Sequence, residues 1–130
     1  LPRYTTVSGI PVTEMIDAAK LDAIVDRTKK GGGELVQLMG TSAWYAPGAA
    51  AAQMVAAILK DEKRILPCCI KLEGQYGLKD VYLGVPVKLG KNGVESVIEL
   101  DLTADEMALL HESAGHVKEV MSAYDKMGLS

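Results

Sequence analysis

A chain of 130 residues that is 48% hydrophobic has the size and apolar content of one globular domain, which excludes intrinsic disorder. Its 14 basic and 17 acidic residues give a net charge of −3 and are mixed along the sequence. Nucleic acid and anionic membrane surfaces are therefore not expected as main partners. No uncharged apolar run approaches the roughly 20 residues that span a bilayer, and no signal peptide is expected.

The opening segment, "LPRYTTVSGIPV", starts at Leu1 without a polar entry stretch and is expected to continue from a larger protein, as a fragment, cleaved product or internal start. Its β-branched residues followed by Gly-Ile-Pro predict a short strand leading into a loop. From about Ala18 the spacing of Leu21, Ile24, Val25 and Thr28 predicts a helix. Gly31, Gly32 and Gly33 interrupt it, and Leu35, Val36 and Met39 resume the apolar face in phase. Either a loop joins two helices here, or one kinked helix presses closely on a neighbour; the retained phase favours the kink. Three interior glycines would cost such a helix roughly 1 kcal/mol each relative to alanine.

"GTSAWYAPGAAAAQM" then sets the only tryptophan beside the smallest side chains of the chain. Thr41 or Ser42 is expected to cap a helix, with Pro47 near its first turn and Ala51, Met54, Val55, Ile58 and Leu59 on its buried face. Trp44 and Tyr45 would form a bulky lip at the helix N-terminus, where free backbone N–H groups favour anions, or they simply seal the helix end. Adjacent Cys68 and Cys69 project to opposite faces of an extended segment and read as two reduced, buried thiols. A three-stranded antiparallel meander is expected from "RILPCCIKLE", "VYLGVPVKL" and "VIELDL". Val81, Leu83, Val85, Val87 and Leu89 share one face, and Pro86 suggests an edge position or bulge. "TADE" has capping-box spacing, and Met107, Leu110, Ala114, Val117, Met121 and Tyr124 mark a final helix packed on the sheet. The fold class read from these elements is α+β, helices on a small antiparallel sheet.

Familiar chemical motifs fit poorly. His111 and His116 are five residues apart, which leaves them roughly 140° apart on a helix, so no shared metal is expected. Both read as solvated or interface side chains. "GVPVKLGKNG" lacks the spacing of a phosphate loop, and no serine sits in a Gly-x-Ser-x-Gly elbow. No catalytic residue is assigned within the chain.

Several stretches together resemble the carboxy-terminal part of the NAD-dependent malate dehydrogenases of the bacterial type related to lactate dehydrogenase. They are "LPRYTTVSGIPV", "RTKKGGGELV", "GTSAWYAPGAAAAQM", "LKDEKRILPC", "GQYGLKDVYLGVPVKLGKNGVE" and "IELDLTADEMALLHESA", in family order over nearly the whole chain. The resemblance implies that residues 1–130 are the substrate-side C-terminal domain of a cytoplasmic oligomer, dimer or tetramer. Hydride would pass between malate or oxaloacetate and NAD, a step of the tricarboxylic acid cycle. It also implies that the catalytic histidine, its aspartate, the arginine clamp and the NAD-binding domain lie upstream of Leu1. His111 and His116 do not match the catalytic position, nor Arg3, Arg27 and Arg64 the clamp. Ser42 and Ala43 correspond to pocket-lining residues and Pro47 to an apolar contact at the nicotinamide ring. Trp44 replaces a tyrosine and Gly48 an alanine common in such sequences, which touches only the detailed shape of the loop. The glycine-rich helix corresponds to a kinked helix bordering the active site and subunit contacts. By itself the chain is expected to be inactive. The alternative is a self-associating module without chemistry, joined through the helix around Gly31–Gly33 or the seam of the last helix.

Overall fold

The computed structural model describes residues 1–128, which divide into two compact units, Leu1–Ala49 and a second from Ala50 onward. In the first unit a single 3-10 turn, Pro2–Tyr4, precedes two very short antiparallel strands, β1 (Thr6–Val7) and β2 (Ile10–Pro11). Ser8 (φ 52°) and Gly9 (φ 85°) make the reversal between them, both in the left-handed region that two-residue hairpin loops require. The expected single strand is thus a miniature hairpin. One helical turn, α1 (Val12–Met15), leads to the long helix α2 (Ala18–Met39), whose N-cap Asp17 accepts a hydrogen bond from the Lys20 amide at 2.9 Å.

Helix α2 runs unbroken through Gly31, Gly32 and Gly33, so the loop alternative is excluded. The expected close neighbour is absent from the described residues: a methyl group added at any of the three glycines would meet no atom within 4 Å. No residue of α2 is buried, and its apolar side chains Leu35, Val36, Leu38 and Met39 are exposed. The helix ends at Gly40, left-handed at φ 70°, whose N–H closes on the Val36 carbonyl.

Helix α3 (Tyr45–Leu59) straddles the two units. Its first hydrogen bond runs from the Gly48 N–H to the Trp44 carbonyl at 2.9 Å. Trp44 therefore holds the cap position, and neither Thr41 nor Ser42 does; both lie in the preceding loop. Pro47 is the third helical residue, where its missing N–H leaves no broken helical bond. The inward face also differs from expectation. Ala57 is fully buried and Met54 and Ile58 are half-buried, while Ala51, Val55 and Leu59 face outward.

The second unit carries a sheet in the order β3 (Arg64–Glu73), β4 (Lys79–Gly90), β5 (Gly93–Val97), antiparallel throughout. The predicted face of β4 is the core: Val81, Leu83, Val85, Val87 and Leu89 are all buried. Pro86 is on the central strand, not at an edge. Its carbonyl accepts from the Ile98 N–H, toward the β5 side, so its missing N–H faces that side too. It pairs with Pro67 of β3, and the two prolines meet where no β3–β4 bond is required. Cys68 is buried and Cys69 exposed, a correction to the expected burial of both that follows from strand alternation. Desolvation pushes the Cys68 thiol above its usual pKa.

The third strand stops at Val97, and Ile98–Leu102, expected to be strand, is irregular. Tyr76 takes over its backbone groups. The phenol donates to the Ile98 carbonyl at 3.2 Å and accepts from the Leu100 N–H at 2.9 Å, while Glu99 accepts from the Tyr76 amide at 2.8 Å. The last helix, α4 (Ala104–Lys126), opens with the predicted capping box of Thr103 and Glu106. Met107, Leu110, Ala114 and Val117 pack against the sheet core, whereas Tyr124 lies outside it, half exposed. The seam of α4 is thereby occupied within the chain. His111 is not merely solvated: its Nε2 donates to the Tyr76 carbonyl at 3.0 Å.

Candidate functional site

Gly40–Trp44 connects α2 to α3 and carries the residues singled out for a pocket. The left-handed Gly40 turns the chain out of α2, and Ser42 and Ala43, outside any helix or strand, precede the first turn of α3. Ser42 and Pro47 are exposed and Ala43 is half-buried. Trp44 and Tyr45 are 59% and 72% exposed, their rings 6.0 Å apart and inclined at 36°. The aromatics touch each other at an open edge and do not plug the helix end. This surface offers one hydroxyl, two small side chains and a proline ring beside the unpaired N–H groups of a helix start. Ser42, Ala43 and Pro47 include no general base.

Other grooves of the first unit are lined elsewhere. One of about 470 Å³ is formed by the N-terminal segment and the first turns of α2, with Leu1, Val12, Ile16, Leu21 and Val25 among its walls. Ser42, Ala43 and Pro47 take no part in it.

Each of the three arginines of the chain lies against another side chain. Arg27 donates through Nε to Glu34 Oε2 at 3.1 Å and through Nη2 to Oε1 at 2.8 Å. This forked bond holds the Glu34 carboxyl below its usual range and raises Arg27. Arg3 lies over the Tyr4 ring at 4.5 Å, and Arg64 approaches Glu62 at 4.0 Å. The Arg27–Glu34 pair follows from a seven-residue spacing on one helix face, across the three glycines. No group of three or more His, Cys, Asp or Glu among the described residues is placed to share a metal ion. No helix there is long and apolar enough to cross a membrane.

Residues 3–127 match the family model of the lactate/malate dehydrogenase alpha/beta C-terminal domain. The malate dehydrogenase of Cytophaga hutchinsonii is 70% identical over 96% of this chain and 40% of its own length. The solved structure of malate dehydrogenase from Salinibacter ruber superposes with a TM-score of 0.95 at 63% identity, over 98% of this chain and 42% of that one. That of Picrophilus torridus gives 0.90 at 40% identity, over 97% and 41%. The chain thus spans about two fifths of the length of the relatives it matches. With nearly every residue matched in both sequence and fold, the chain belongs to the lactate/malate dehydrogenase C-terminal domain family.

Proposed function

We propose that residues 1–130 are the substrate-side domain of an NAD-dependent malate dehydrogenase, acting in the cytoplasm as a homo-oligomer. Ser42 and Ala43 line the pocket for malate or oxaloacetate, and Pro47 meets the nicotinamide ring. The observation that carries this reading is the 70% identity to a malate dehydrogenase, extending through a loop that is open and lined by small side chains. The residues present fit one edge of the cofactor and no more: Pro47 exposes an apolar ring in the first turn of α3. When bound, NAD supplies the hydride acceptor. Ser42 and Ala43 leave room for a dicarboxylate and orient it, while the first turn of α3 presents N–H groups to its charge. Proton transfer, the arginine clamp and the dinucleotide fold belong to other sequence, so the 130 residues alone carry no dehydrogenase activity.

Ala43→Leu in the complete enzyme tests this reading, because the added carbons would occupy substrate space. A fall in kcat/KM for oxaloacetate of about tenfold or more is expected, with an unchanged thermal midpoint. Unaltered kinetics for this variant would remove Ala43 from the pocket.

A second reading is supported by the uncovered apolar face of α2. With no residue of that helix buried, Leu35, Val36, Leu38 and Met39 form a surface suited to another polypeptide, as a self-associating module would require.

A further inference from the structure

We propose that the Arg27–Glu34 ion pair is a brace that keeps the glycine segment of α2 helical and so fixes the site loop that follows it; the link to catalysis rests on the function proposed above. Residues 27, 31 and 34 lie on one face of the helix, at steps of four and three. The forked bond from Arg27 to Glu34 therefore spans the turn containing Gly31, Gly32 and Gly33. No packing reaches the glycines themselves, since each has open space where its side chain would be. Glycine is the non-proline residue least able to hold a helix by itself, so this is where α2 would open first. An opening there propagates directly to the site, because α2 ends at Gly40 and Ser42 and Ala43 follow with no intervening element. A two-pronged arginine–carboxylate bond has the geometry in which a surface pair contributes measurably. Arg27 and Glu34 are positioning residues, acting on the loop through the backbone of α2.

Backbone hydrogen exchange, read peptide by peptide in the complete protein, tests the brace directly. Arg27→Gln is expected to speed exchange about threefold across residues 31–44, covering both the glycine turn and the loop. The charge-swapped pair Arg27→Glu with Glu34→Arg should restore protection, a rescue that general destabilisation would not give. Gly31→Ala in the Arg27→Gln background should restore it too, since alanine strengthens the helix and meets no atom there. In the active enzyme, Arg27→Gln should move kcat and KM for oxaloacetate together, and the charge swap should return both. Unchanged exchange at residues 31–33 overturns the brace. Faster exchange at 31–33 without any change at 40–44 overturns its hold on the loop. A malate dehydrogenase reading that failed would show as absent activity in the unaltered enzyme, with the exchange differences intact.

Discussion

Tyr76 is the residue on which most of the irregular structure depends. It sits at φ 55° in the β3–β4 connection, 8% exposed, and bonds to Ile98, Glu99, Leu100 and His111. Two of these contacts need only its backbone, so they survive loss of the hydroxyl. The other two do not. Tyr76→Phe would leave the Ile98 carbonyl and the Leu100 N–H without partners, at a cost of about 1–3 kcal/mol. A lower urea midpoint with an unchanged slope is the expected result, and equal midpoints would show that water replaces the hydroxyl. None of this was visible in "GQYGLKD", which reads only as turn residues, because the partners are more than 20 positions away. The stretch around Trp44, by contrast, stood out through composition, and the resemblance alone singled out Ser42, Ala43 and Pro47 within it.

Among the elements, the β4–β5 hairpin shows how charge placement supports a turn. Asp61 accepts from the Lys91 N–H at 2.9 Å, and Lys63 reaches Glu95 at 2.6 Å and Asp61 at 3.2 Å. Lys88 adds a contact to Glu95 at 3.3 Å. Gly90 lies against this network: a Cβ there would fall 2.5 Å from Glu95 Oε1 and 2.8 Å from Asp61 Oδ1, so a side chain would displace these carboxylates. The Lys91 amide and then Lys63 hold the Asp61 carboxyl below its usual range, and Lys63 does the same for Glu95. Depressed carboxylate values mean that the unfolded chain takes up protons first as pH falls. The stability they contribute is therefore present at neutral pH and is lost below about pH 4. Lys63 is raised, chiefly by Glu95, and its contribution is lost only in strong alkali. Acid titration of the thermal midpoint should fall less steeply in Glu95→Gln than in the unaltered chain; parallel curves would mean the network contributes nothing to acid sensitivity.

Across the whole molecule, two kinds of helix coexist. α4 and the second half of α3 bury a face on the sheet, and Leu72, Val81 and Val87 beneath them are fully enclosed. Each such side chain contributes roughly 1.5–3 kcal/mol. No residue of α2 is buried among the described residues, and Trp44 and Tyr45 in the stretch that follows are exposed as well. The 130-residue chain is accordingly expected to associate in sedimentation velocity as concentration rises, and Leu38→Lys, at a position 77% exposed, to weaken that association. A compact monomer throughout the range would assign no self-contact to α2.

The sequence by itself determined the periodic elements: the five inward residues of β4, the capping box at Thr103, and the continuous phase of α2 across its glycines. These are legible because side-chain direction repeats every two residues in a strand and every 3.6 in a helix. The resemblance, and no periodicity, singled out Ser42, Ala43 and Pro47 as an expectation. What only the tertiary structure decided were the features set by a partner distant in sequence. Pro86 is tolerated in the central strand because it opposes Pro67 and its carbonyl serves Ile98. Beyond the Ile98 N–H the chain leaves the sheet, where Tyr76 bonds the Ile98 carbonyl and the Leu100 N–H, and α3 turns Ala57 inward where alanine allows close approach. Hydrogen-bond satisfaction and packing are properties of pairs, and a pattern along one chain does not reveal which pairs will meet.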